Sequence, residues 1–143
     1  LKSLQDYKNI AIFNQREFEL LSQSYILENF RYWLLAKRTK ELCNTDIVTV
    51  LYFYSDENCT TCPDQGVILS HYKRVFKDSL LIFPINLDFG QEGSVQAVAK
   101  RYSIESTPVL VIGDDKHEGV VSKEELKPLI CSQFTAPHSE CLT

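Results

Sequence analysis

Residues 47–63 read Ile47-Val48-Thr49-Val50-Leu51-Tyr52-Phe53-Tyr54-Ser55-Asp56-Glu57-Asn58-Cys59-Thr60-Thr61-Cys62-Pro63. From Ile47 to Tyr54 the run is unbroken β-branched and aromatic. Successive strand side chains point to opposite faces, so a run with no polar alternation suits a strand covered on both sides, at the centre of an α/β sheet. The polar turn Ser55–Asn58 then delivers the chain to Cys59. A helix is expected from Cys62 to about Lys77, with Ile68, Tyr72, Val75 and Phe76 on its inner face. Pro63 fits only in a first helical turn, where its missing N–H would have had no partner anyway.

The sequence on either side fits the same layered plan. Residues 1–44 read as an N-terminal helical extension packed on the core, with a short strand at Ile10–Phe13 ahead of it. Asn14 followed by Glu17 matches an N-cap with its reciprocating acid. Phe18, Leu21, Tyr25, Phe30, Trp33 and Leu34 recur at helical spacing and are expected to face the core, a partner or substrate platform being their other use. Downstream, Leu80–Leu87 reads as a strand. Pro84 inside it cannot donate to a ladder and calls for an edge position or a bulge. If Ile10–Phe13 pairs on that side too, the two must avoid each other at Pro84.

A short helix over about Ser94–Tyr102 leads to Thr107-Pro108 and the strand Val109–Ile112. Gly113-Asp114-Asp115 is a hairpin signal, with Lys116–Val121 as the returning strand. Ser122 with Glu125 forms a second capping box that opens a last helix, ending near Cys131. The order is β-α-β-α-β-β-α behind a helical leader, with no internal repeat or low-complexity tract.

Composition narrows the function. A chain of 143 residues, 44% hydrophobic and 11% aromatic, can bury a core without disulfide staples. A formal net charge of -4 gives no basic footprint, so nucleic acid is not the expected partner. No apolar run approaches the roughly 18 residues of a membrane span. The chain starts at Leu1 without any methionine, so it is expected to be a processed or excised piece whose signal or anchor would lie outside it. Of five cysteines, two form a C-x-x-C and three stand apart at Cys43, Cys131 and Cys141. Scattered extra cysteines favour an oxidising compartment.

The chemistry sits where strand becomes helix. Exposed amides and the positive end of the helix dipole stabilise a thiolate at Cys59. Cys62, one turn on, can attack a mixed disulfide on Cys59 at short range. A structural disulfide and half of a zinc site are the competing uses of such a pair. No second paired-ligand motif supports zinc, and His71 lies more than two turns beyond Cys62. No metal and no cofactor is expected. His71, His117 and His138 read as surface residues, and the Asp114-Asp115 and Glu124-Glu125 pairs as a turn and a helix cap.

Over about 47–131 the chain resembles the thioredoxin-like superfamily. The resemblance is carried by Cys59-Thr60-Thr61-Cys62, by Arg101-Tyr102-Ser103-Ile104-Glu105-Ser106-Thr107-Pro108 and by the capped helix from Ser122. It implies a central mixed sheet flanked by helices, with Cys59 as nucleophile and Cys62 as resolver. It implies too that Pro108 is cis against the active-site disulfide, and that the Thr107 backbone pairs with extended substrate. The sequence departs from familiar thioredoxins in three places. Asn58 stands for the tryptophan before the first cysteine, Phe53 for the buried aspartate, and Pro84 for its partnering lysine. The usual proton relay to the resolving thiol is therefore missing, so this is not a standard cytosolic thioredoxin. Thr60-Thr61 lacks the histidine of strongly oxidising relatives, and Asp56 and Glu57 add charge that opposes a thiolate.

The topology so implied puts Cys43 and Cys131 on the face opposite the active site. Three pairings are open among Cys43, Cys131 and Cys141. The short span between Cys131 and Cys141, with Pro137 inside it, closes at least entropic cost and favours that bridge, leaving Cys43 as a buried thiol. The alternative is that all three stay reduced. The expectation is an α/β thioredoxin-like domain over 45–132, behind the extension 1–44 and before a tail 133–143. It would exchange thiols with protein disulfides, with protein thiols and an unidentified redox partner as partners, outside the cytoplasm. A non-catalytic thioredoxin-like binding module of a larger, membrane-anchored protein is the alternative.

Overall fold

The apolar run forms β1 (Val48–Tyr54), every residue of it buried except the partly exposed Tyr54. It lies in a computed structural model that describes residues 15–43, 45–89 and 93–142. Before it runs helix α1 (Gln15–Cys43), and after it come α2 (Cys62–Phe76), β2 (Leu80–Asn86), α3 (Gly93–Arg101), β3 (Val109–Ile112), β4 (Asp115–Glu118) and α4 (Lys123–Cys131). The expected strand Ile10–Phe13, the Asn14 cap and the side chains of Glu17 and Phe18 lie outside the described residues.

The four described strands are ordered β2-β1-β3-β4. β1 runs parallel to β2, pairing Tyr54 with Asn86, and antiparallel to β3, pairing Phe53 with Val109. Alternation along β1 then builds two cores. Val48, Val50 and Tyr52 meet Leu69, Tyr72 and Phe76 of α2 and Leu126 and Ile130 of α4. Leu51 and Phe53 meet Ile26, Phe30 and Trp33 of α1 and Val95 of α3. The sheet is thus sandwiched between helices, the layering an all-apolar central strand requires. Phe53 is fully buried; truncating such a side chain to alanine costs about 3–5 kcal/mol.

Of the two positions expected for Pro84 the strand takes the edge, and other expectations are corrected in detail. Pro84 sits opposite Tyr52 in a register that is continuous from Leu80 to Asn86, so β2 has no bulge, and it forms an edge of the described sheet. Phe53 pairs with Ile85, and both are fully buried hydrocarbon. On α1 the buried stripe is Ile26, Phe30, Trp33 and Ala36, whereas Leu34 is 58% exposed. Steps of three and four residues keep a side chain on one helix face, and Leu34 lies one step off the Trp33 row. On α2 the buried set is Cys62, Gln65, Leu69, Tyr72 and Phe76, with Ile68 and Val75 only partly covered.

The hairpin turn is tighter than its sequence signal suggested. Ile112 pairs with Asp115, leaving Gly113 and Asp114 as the turn. Gly113 has φ +63, the left-handed conformation that strains any residue with a Cβ, so the turn favours glycine there. The return strand ends at Glu118 rather than Val121, because Gly119 has φ +78 and its N–H turns to the Pro108 carbonyl.

The C-terminal segment closes the end of the molecule where β1 begins. Cys131 and Cys141 are bridged. The N–H groups of Thr135 and Ala136 donate to the Asp46 carboxylate, and Phe134 and His138 pack against Phe76. Cys43 is exposed, not buried as the sequence suggested, because the final turn of α1 projects Glu41, Leu42 and Cys43 into solvent.

Candidate functional site

At the opposite end, where the parallel strands β1 and β2 both finish, the chain turns through Ser55–Asn58 into the cysteine pair. Cys59 and Cys62 are disulfide-bonded, with Cα atoms 5.5 Å apart. Their environments differ. Cys59 is partly exposed, whereas Cys62 is 2% exposed beneath the first turn of α2. Thr61 is the N-cap residue of α2, and its side chain makes no capping bond to the first amides of the helix. Amides at a helix N-terminus favour an anion, which is the electrostatic support a Cys59 thiolate would use.

Buried polar groups hold the pair from below. The Tyr52 hydroxyl donates to the Cys62 carbonyl at 2.5 Å, and the Tyr52 and Tyr54 rings stack at 5.2 Å. Burial, helped by the Asp56 charge, pushes the Tyr52 phenol up to about 12, so it stays a donor at neutral pH. Burial raises Tyr54 likewise. One turn beyond Cys62, the fully buried Gln65 grips Val121 at both ends of its amide. It accepts from Val121 N–H at 2.7 Å and donates to the Val121 carbonyl at 3.3 Å.

Pro108 is buried and Thr107 partly exposed, and the peptide bond between them is cis. Because Val109 pairs with Phe53, both lie beside Tyr54 at the same end of the sheet as the cysteine loop. Cys131 and Cys141 sit at the other end. Among the described residues no cluster of three or more His, Cys, Asp or Glu side chains could hold a metal. His71 lies on α2, where burial and the Lys123 and Arg74 charges lower its pKa. His138 caps the Glu140 N–H.

Other residues of the site escaped the sequence reading: Tyr52, Ser55, Gln65, Asn86 and Asp88. Each is a polar group in or next to an otherwise apolar element, and that was the only signal available. An apolar groove of about 1050 Å³ also runs along β2, between Tyr25, Asn29 and Ala36 of α1 and Ser70 and Lys73 of α2. It adjoins Tyr52 and Tyr54 but does not include the cysteines.

No protein-family model matches the chain, and no curated protein does. Solved structures do. A malarial protein superposes with a TM-score of 0.52 at 20% identity, over 62% of this chain and 98% of its own. Thioredoxin-2, a component of the malaria parasite protein secretion machinery, gives 0.50 at 21% identity, over 60% of this chain and 82% of its own. At such identity the likeness concerns the fold alone, and that fold is thioredoxin-like.

Proposed function

We propose that this chain is a thiol–disulfide oxidoreductase acting on protein disulfides through Cys59 and Cys62. One observation carries the proposal: at the N-terminus of α2, bonded to each other, are one partly exposed cysteine and one that is buried. In the reduced protein the Cys59 thiolate attacks a substrate disulfide, forming a mixed disulfide and expelling one substrate thiolate. Cys62 then gives its proton to the substrate thiolate released first and attacks the Cys59 sulfur, expelling the second substrate thiolate, which takes a proton from water, and closing the Cys59–Cys62 bond. Two electrons pass to the substrate. The same steps in reverse oxidise a substrate dithiol. Thr107, ahead of Pro108, offers its backbone to the extended substrate chain.

An oxidising, extracytoplasmic location is part of the proposal. The Cys131–Cys141 bridge, remote from the redox pair, supports it. The second reading, a non-catalytic binding module, draws on the apolar groove along β2. Insulin reduction with dithiothreitol as electron source separates the two. The oxidoreductase accelerates insulin precipitation over the dithiothreitol background, and Cys59→Ser returns it to background. A wild-type protein that gives only the background rate leaves the binding module.

A further inference from the structure

Cys59 is delivered by a turn that belongs to neither β1 nor α2, and a third element fastens that turn. Asp88 lies just beyond β2, in the helical turn Leu87–Phe89. One carboxylate oxygen accepts from the Ser55 hydroxyl, and the other accepts from the N–H groups of Asp56 at 2.9 Å and Glu57 at 3.3 Å. Ser55 passes the hold onward, its oxygen accepting from the N–H groups of Glu57 at 3.2 Å and Asn58 at 3.0 Å. Asn86 closes the ring. Its side-chain oxygen accepts from the Asp88 N–H at 2.9 Å and its NH₂ donates to the Asp56 carboxylate at 3.1 Å.

Ser55 and Asn86 are 6% and 5% exposed. Buried polar groups are costly unless partnered, so a ring that partners both is a specific construction rather than a solvated surface. Its last link is Asn58, the residue bonded to Cys59. The N–H groups of Asp56, Glu57 and Asn58 are all engaged in it, so they are not directed at the sulfur. The ring therefore acts on Cys59 by fixing where the backbone places it.

We propose that Asp88 is a positioning residue for the redox pair, holding the Cys59 sulfur against Cys62 through Ser55 and the Ser55–Asn58 turn. This rests on the pair being redox-active. A pair held in register closes its disulfide with a high effective concentration, and a loosened turn lowers it. The quantity to measure is the equilibrium of the full chain with glutathione, in which the dithiol and one glutathione disulfide give the protein disulfide and two glutathione thiols.

Ser55→Ala cuts the link to Asn58 without changing any charge, and Asp88→Asn removes the carboxylate while keeping the shape. Each is expected to lower the equilibrium constant about tenfold, and the double variant by no more than about twentyfold, because both break one chain of contacts. In Ser55→Ala the pH dependence of Cys59 alkylation should stay where it is in the wild type. The proposal is overturned if Ser55→Ala stays within twofold of the wild type, if the two effects multiply in full, or if Ser55→Ala shifts the alkylation profile enough to account for its change. If either variant fails to give a folded near-ultraviolet spectrum, Ser55→Thr, which keeps the hydroxyl, is substituted and must retain the wild-type constant. A different result, a wild type whose pair never equilibrates with glutathione, would instead remove the oxidoreductase reading itself.

Discussion

Replacing Gln65 by leucine tests how the site is built into the core. The Gln65 amide is fully buried and makes two hydrogen bonds to Val121, which is itself 6% exposed. Leucine fills nearly the same volume, so little cavity energy enters and the polar loss dominates. Two net hydrogen bonds disappear, and the Val121 N–H and C=O are left in a dry environment. At about 1–3 kcal/mol for each buried group left unpaired, with partial relief by relaxation, the cost is about 2–4 kcal/mol. For a domain of this size roughly 2–4 °C are lost per kcal/mol, so the melting temperature should fall by about 5–15 °C. Circular dichroism melts of the oxidised protein, wild type against Gln65→Leu, would read this. A fall under about 2 °C would mean that water or backbone movement satisfies Val121. The view of Gln65 as the tie between α2 and the segment entering α4 would then be refuted.

Removing the resolving thiol leaves a mixed disulfide with no internal escape, so Cys62→Ala should accumulate client adducts that dithiothreitol releases, while Cys59→Ala should not; equal trapping by both variants would contradict the assigned roles. The Cys131–Cys141 bridge joins residues at a sequence separation of 10, and Cys131→Ser should lower stability by roughly 2–3 kcal/mol on the loop-entropy model while insulin reduction continues. The Thr135 and Ala136 N–H groups hold the Asp46 carboxyl below its ordinary 3.8. A depressed folded pKa stabilises fully above about 3.8 and is lost as pH falls through the folded value. Wild-type stability should thus drop more steeply below about pH 4 than that of Asp46→Asn, as read by urea melts at each pH.

The sequence disclosed whatever depends on neighbours along the chain. The Ile47–Tyr54 run, the Ser122 cap and the glycine turn each carry their physics within a few residues, and so does a cysteine pair at a helix start. What it hid depends on neighbours in space. Asp88 meets Ser55 only because β1 and β2 run parallel and end together, a pairing that local pattern does not reveal. Gln65 looks like a polar lapse on an apolar helix face until Val121 folds back over it. Leu34 is apolar but lies off the helix face that meets the sheet, and Cys43 sits in a final helix turn that reaches into solvent, so neither position follows from residue type.

Whether Cys59 and Cys62 form a working redox pair or a staple is decided by equilibrating the folded protein in glutathione buffers of graded poise. Alkylation and mass mapping then read each cysteine. Reversible opening and closing of the Cys59–Cys62 bond is expected while Cys131–Cys141 stays closed, with the transient glutathione adduct on Cys59. A pair that opens only when the protein unfolds, or an adduct found on Cys62, would contradict this expectation.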